Sequence, residues 1–293
     1  FFYFTAPPVI YTLSLHDALP ILAVVFAALL TMVGFSSCLN SEDDGIREWG
    51  GYFEVNNTYG SVNFVDPTGI QLVPNKTIID APASSALAYI NYQYKDDDMA
   101  QIEQTKKLPV TLLQDPVYLK RLDCLTTTLP EETKTVSIYS LGERDALVWG
   151  NNKYLILAPT ILLKKGTTSE NLSTELLNHR LTLYYLSAEG DEDANTLKLY
   201  LRYEISGIGG SSTEETDDKE SWASDYNVRY TNVSHVNLQP IISMYKSTHS
   251  GSEPEKVTVE YEYNNSTSSI PTIAKKQTKT VTYNLYTETS SNN

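Results

Sequence analysis

The chain has 293 residues, 22 basic against 36 acidic side chains and a formal charge of -14. That balance excludes a surface built for nucleic acid, which needs a positive footprint, and one that clings to anionic headgroups by charge. Two cysteines are too few for a disulfide scaffold, and 21 tyrosines with many Thr and Val residues favour strands.

Residues 1–21 are set aside first. Tyr11-Thr12-Leu13-Ser14-Leu15-His16-Asp17-Ala18-Leu19-Pro20-Ile21 resembles a translated sequencing adapter, and Phe1 to Ile10 resembles an error-laden read of the same primer. His16 and Asp17 therefore carry no functional weight. Leu22 to Phe35 is uncharged and apolar, the length of a signal-peptide h-region. The basic start expected before it is replaced by the adapter-like string. The run ends in Phe35-Ser36-Ser37-Cys38. Small residues before a cysteine are what a lipoprotein signal peptidase cleaves, and the thiol then carries the lipid. Residues 22–37 are thus expected to be a cleaved leader, and Cys38 the lipidated N-terminus of the mature chain. A retained spanning helix is the competing reading, because no residue from Ala18 to Ser37 is charged. Each buried methylene contributes about 0.8 kcal/mol, so two or three acyl chains hold a protein on a membrane effectively for good.

Leu39-Asn40-Ser41-Glu42-Asp43-Asp44-Gly45 opens a tether assigned to residues 38–50. Its acidic run resembles the signal that sends Bacteroidetes lipoproteins to the outer leaflet of the outer membrane. A plain solvated tether is the alternative.

Residues 51–128 read as short strands separated by polar turns. Ser61 to Val65 leads through the turn Asp66-Pro67-Thr68-Gly69 into Ile70 to Pro74; Ala86 to Tyr94 and Leu108 to Leu113 follow. This spacing predicts a small β-barrel or sandwich. Residues 129–293 alternate more cleanly. Leu197, Leu199, Leu201, Tyr203 and Ile205 share one strand face against Lys198, Tyr200, Arg202 and Glu204. Val257, Val259, Tyr261 and Tyr263 repeat the pattern, as do Val281, Tyr283 and Leu285. Leu147 to Trp149 and Tyr154 to Leu157 flank Gly150-Asn151-Asn152-Lys153 as a hairpin. Leu181 to Leu186 and Val236 to Met244 are read as further strands, and Ser169 to Asn178 as a place for a short helix. Ile208 to Ser221 is read as an exposed loop. The expected second domain is an antiparallel β-sandwich.

Chemistry is sparse. Asp191-Glu192-Asp193-Ala194-Asn195 has calcium-like spacing, but Thr196 and Arg202 stand where a helical-hand site needs Gly and Glu. A polar hairpin loop is the better account. Asp96-Asp97-Asp98 reads as a solvated turn. His179, His235 and His249 lack H-x-x-x-H spacing or a companion cysteine, so no zinc site is expected. Cys124 is expected to pack as a small apolar residue. No G-x-S-x-G elbow occurs. Trp149, inside an apolar run, is expected in the core; Trp222 is the better candidate for a surface contact, and Trp49 is the third tryptophan. No catalytic, cofactor or metal residue is assigned, and Cys38 is the one site residue.

Ser36-Ser37-Cys38 with Glu42-Asp43-Asp44, the Ala88-Tyr89-Ile90-Asn91-Tyr92 strand, and Asn152 to Leu157 followed by Leu181 to Tyr185 together resemble the NigD-like lipoproteins of gut Bacteroidetes. The resemblance implies an all-β chain, with a small OB-like β-barrel followed by a β-sandwich. It implies no activity, cofactor or catalytic residue. The expectation is a surface-exposed outer-membrane lipoprotein, non-enzymatic, binding or assembling with an envelope partner. A glycan-binding accessory lipoprotein or fimbrial subunit is the second reading, and a secreted hydrolase the third.

Overall fold

The computed structural model describes residues 45–58, 60–187, 195–208, 226–264 and 276–285. The signal run, Cys38, most of the acidic tether, Asp191 to Ala194 and Trp222 lie outside the described residues.

The first unit is a closed barrel. Its strands are β1 (Ile46–Thr58), β2 (Ser61–Val65), β3 (Gln71–Pro74), β4 (Leu87–Lys95) and β5 (Lys107–Leu112). Their spatial order is β1-β2-β3-β5-β4, and β4 returns to β1 to close the ring. Only β3 and β5 run parallel. This is the strand order of an OB-like barrel. Alternation decides which residues fill it. Phe53, Val62, Phe64, Ile90 and Val110 point inward and are buried, while their chain neighbours face out. The turn between β2 and β3 is fixed by Asp66, whose carboxylate accepts from the N–H of Thr68 and of Ile70, each at 2.8 Å. Gly69 follows at φ +87°, which a residue with a Cβ resists. A short helix, α1 (Ile102–Thr105), follows the turn formed by Asp96 to Gln101 and caps the link from β4 to β5.

β1 starts at Ile46 and so takes in residues placed in the tether by sequence. Arg47, Trp49 and Gly50 pair with Tyr94, Tyr92 and Asn91 of β4. Gly50 stands in mid-strand because the side chains of Asn91 and Tyr89 fill the space a Cβ would need.

Nine residues then visit three sheets. β6 (Val117–Tyr118) pairs with β4 of the barrel, β7 (Lys120–Arg121) joins one sheet of the second unit and β8 (Asp123–Leu125) joins another. Pairing therefore passes to the second unit before residue 128.

The second unit holds β9 (Ala146–Trp149), β10 (Tyr154–Leu157), β11 (Thr160–Lys164), β12 (His179–Tyr184), β13 (Thr196–Ile205), β14 (Tyr226–Thr231), β15 (Ser234–Asn237), β16 (Lys256–Asn264) and β17 (Lys276–Asn284). Sheets β7-β15-β10-β9 and β17-β16-β13-β12-β8, with the pair β11-β14, enclose one core. Leu155, Leu157, Ile161, Leu199, Leu201, Val257 and Val259 are fully buried in it. The sandwich is mixed in pairing. β7–β15, β8–β12 and β13–β16 are parallel, the first two because the linker strands enter along the edges from the barrel. The hairpin β9–β10 forms as expected, with Gly150, Asn151 and Asn152 all at positive φ in its turn.

The helix expected between Ser169 and Asn178 is α2 (Leu172–Leu176). The strand expected from Val236 to Met244 is corrected. It stops at Asn237 and gives way to α3 (Gln239–Thr248). Pro240 stands in the first turn, where its missing N–H costs nothing, and Ile241, Ile242 and Tyr245 line one buried face at helical spacing.

Candidate functional site

Barrel and sandwich meet across an apolar seam. Tyr52, Leu87 and Tyr89 from the barrel pack with Leu119, Trp149, Tyr154 and Ile156. Polar groups pin the seam, one bond inside it and the Glu54 bonds at its edge. The Trp149 indole N–H donates to the Tyr52 carbonyl at 3.0 Å. The Glu54 carboxylate accepts from the Lys153 ammonium and from the Tyr154 hydroxyl, the latter at 3.1 Å. Burial raises the Tyr52 and Tyr154 hydroxyls above the usual phenol range, and the Glu54 charge adds to the shift at Tyr154. These groups are neutral at physiological pH.

Beside this seam lies a cleft of about 160 Å³, bordered by Tyr52 and Tyr89 of the barrel, Lys120 of β7, Leu176 of α2, and Tyr230 and Asn232 at the end of β14. With Val117 and Tyr118 of β6, six structural elements contribute to it, so it exists only when the two units are docked. Concave sites at a junction of units are where small ligands commonly bind.

A second polar arrangement is buried in the sandwich. The His179 ring bonds the Tyr203 hydroxyl through Nδ1 and the Glu175 carboxylate through Nε2, the latter at 2.9 Å. Burial works against the Glu175 charge. Bonds from His179, from the Lys164 N–H and from Asn178 nevertheless hold its carboxyl below the usual range. Such a chain could in principle relay a proton. Tyr203 is 1% exposed, however, so no substrate reaches its hydroxyl. Its work is to fasten α2 to the sheet.

The remaining sequence candidates are scattered. His235 is buried against Tyr154, with ring centroids 5.6 Å apart. Burial first, and the Arg121 charge second, push its pKa down to about 4, while the backbone at Lys120 pulls the other way. His249 stacks on Tyr245 at 3.9 Å. Cys124 packs part-buried against the sandwich core, and burial raises its thiol to about 12, far from a reactive thiolate. Asp96 accepts a two-pronged bond from Arg47, and Asn195 accepts backbone bonds from Glu255 and Lys256 through its carbonyl. Trp149 is buried as expected and Trp49 is 41% exposed. Among the described residues no group of three or more His, Cys, Asp or Glu could hold a metal ion. Sequence reading did not find the cleft. Tyr52, Lys120 and Tyr230 are far apart in the chain and no motif joins them.

The fold defines a two-unit, all-β protein, an OB-like barrel docked on a β-sandwich. No protein-family model and no curated protein matches the chain. Among solved structures, it is similar to a candidate lipoprotein of Bacteroides fragilis, at 22% identity and a TM-score of 0.61, covering 82% of this chain and 99% of that one. That likeness shows a shared fold across both units. Two further structures are an uncharacterised protein of Parabacteroides merdae (13% identity, TM-score 0.46, covering 82% and 100%) and a NigD-like immunity protein of Bacteroides caccae (10% identity, TM-score 0.44, covering 78% and 92%). Their scores are too low to carry an argument.

Proposed function

We propose that this protein is a lipoprotein of the NigD-like kind, held in the outer membrane of a Bacteroidetes cell through acylated Cys38. On this reading it faces outward and binds or assembles with an envelope partner without catalysing a reaction. One observation carries it: the apolar run Leu22 to Phe35 ends in Ser36-Ser37-Cys38, a few residues before the first strand at Ile46. Small residues at the scissile bond and a thiol directly after it are the two chemical needs of lipoprotein maturation. The short acidic stretch Glu42-Asp43-Asp44 supports outward display, and the Bacteroides fragilis likeness is compatible with the class. The cleft at the junction supports a second reading, an accessory lipoprotein that binds glycan, because tyrosine rings can stack on sugar faces.

The test is metabolic labelling with a fatty acid, with the native chain behind its own leader, against Cys38→Ser. The native protein takes up label and sediments with membranes. Cys38→Ser takes up none and either leaves the membrane or persists as precursor. A variant that is cleaved and membrane-bound like the native protein ends the assignment. Protease shaving of intact cells then separates outward from periplasmic display.

A further inference from the structure

We infer that the cleft between barrel and sandwich is a binding site for one six-membered ring carrying a carboxylate, such as a terminal sugar acid or an aromatic acid. The inference rests on the reading of the chain as a binding protein and is independent of Cys38.

Size comes first. The cleft's volume is about 160 Å³. A protein cavity of about 150 Å³ holds a benzene molecule, so this cleft has room for one ring and not for an extended chain. An oligomer can enter only by its end.

The walls come second. Tyr52, Tyr89 and Tyr230 border the space, with Leu176 closing it from α2. Tyr52 and Tyr89 stand edge to face, their centroids 5.3 Å apart, so they hold each other in place before any ligand arrives. Rings packed this way lose little freedom on binding.

Charge decides the rest. The whole chain is strongly acidic at -14, yet among the described residues no carboxylate lines the cleft and Lys120 is the one charged side chain that does. Asn232 adds to the same polarity. Its Oδ1 already accepts the Ser234 hydroxyl at 2.8 Å, which leaves its amide N–H₂ as the group to offer. The ammonium and the amide are both donors, and a carboxylate is the acceptor that satisfies both. In an acidic protein, a cleft lined by an ammonium and by no carboxylate is a place where an anion meets attraction and not repulsion.

The detergent-solubilised full chain is titrated with glucuronate, benzoate, glucose and benzyl alcohol by calorimetry at low salt. At least one of the two acids binds, and it binds at least tenfold tighter than its neutral counterpart. Which acid wins identifies the source of the ring. Lys120→Gln, at an exposed position, weakens that acid at least tenfold and removes its salt dependence. Tyr230→Ala weakens it with the salt dependence kept. The inference is overturned if neither acid binds, if the neutral rings bind equally well, or if Lys120→Gln leaves binding unchanged. An unlabelled Cys38 alongside a binding cleft would sink the anchor and leave the site standing; a labelled Cys38 with an inert cleft does the reverse.

Discussion

The barrel and the sandwich dispose of polar groups in opposite ways. Among the described residues, every buried side chain of the barrel is apolar or aromatic, whereas the buried polar and charged side chains belong to the second unit, from Thr135 onward. Closure explains the barrel. With β4 returned to β1, each strand finds its partners in the backbone and no edge is left to guard. The sandwich is open and mixed in direction, and side chains stitch it instead. Arg202 of β13 reaches Glu260 of β16 at 2.9 Å, and Lys276 of β17 reaches Glu262 of β16 at 3.1 Å. The same ammonium bonds the carbonyl of Glu132 and the Thr135 hydroxyl, which ties the incoming segment to the sheet. Three strands and a loop are thus tied together by side chains.

Cutting that network is the strongest way to break the comparison. Arg202 is 7% exposed and Glu262 5%. Arg202→Met removes the cation shared by Glu260 and Glu262 and leaves them only Lys198 and Lys276, a loss of up to about 3 kcal/mol, the low end for breaking a buried pair. The barrel's own ion pair, Arg47 with Asp96, is 42% and 45% exposed. Arg47→Met therefore costs under about 1 kcal/mol. Urea unfolding of both variants measures this. Equal losses would mean that the sandwich's buried charges contribute no more than ordinary surface pairs.

Legibility in the sequence follows the same divide. Where one face is apolar and the other polar, the reading is sound: β13 and β16 stand where alternation places them, and the hairpin β9–β10 stands where the turn Gly150 to Lys153 places it. The turn at Asp66 to Gly69 was equally legible, because its chemistry is local. What failed was context. Residues 46–50 look like tether because Arg47, Glu48 and Gly50 dilute the apolar signal, and only pairing with β4 makes them strand. β6, β7 and β8 are two or three residues each, too short for any period to register. Val236 to Met244 begins with strand-like alternation, Val236-Asn237-Leu238-Gln239, and so short a segment does not separate strand from buried helix by pattern alone. The cleft and the Arg202 network were illegible for a further reason. Their members come together only through tertiary packing.

A gentler test uses pH. His235 is neutral in the folded chain, with its pKa pushed down to about 4 from about 6.5 by burial and by Arg121. Among the described residues its Nδ1 has no hydrogen-bond partner, so a proton arriving there finds no acceptor. Because the unfolded chain binds this proton more readily, stability is whole above about pH 6.5 and falls as pH drops toward 4. The loss amounts to roughly 2–3 kcal/mol over that interval. His235→Gln flattens the profile between pH 6.5 and 5, where most carboxylates are still ionised. An unchanged slope would show that His235 is not the group that titrates. The barrel strands hold no histidine, so no imidazole of theirs adds to the slope in that window.

The smallest change addresses whether the two units behave as one body. Trp149→Phe keeps an aromatic ring in the seam and deletes one hydrogen bond, the indole N–H to the Tyr52 carbonyl. A buried bond of this kind contributes about 1 kcal/mol net. If the seam opens separately from the cores, amide exchange quickens around Leu119 and in β9 while the amides of Phe64 and Leu199 keep their protection. If barrel and sandwich unfold together, exchange rises everywhere by the same factor. The first outcome makes the junction, and the cleft beside it, the most easily opened part of the molecule. The second makes the contrast between closed barrel and stitched sandwich one of construction only, with a single cooperative transition covering both.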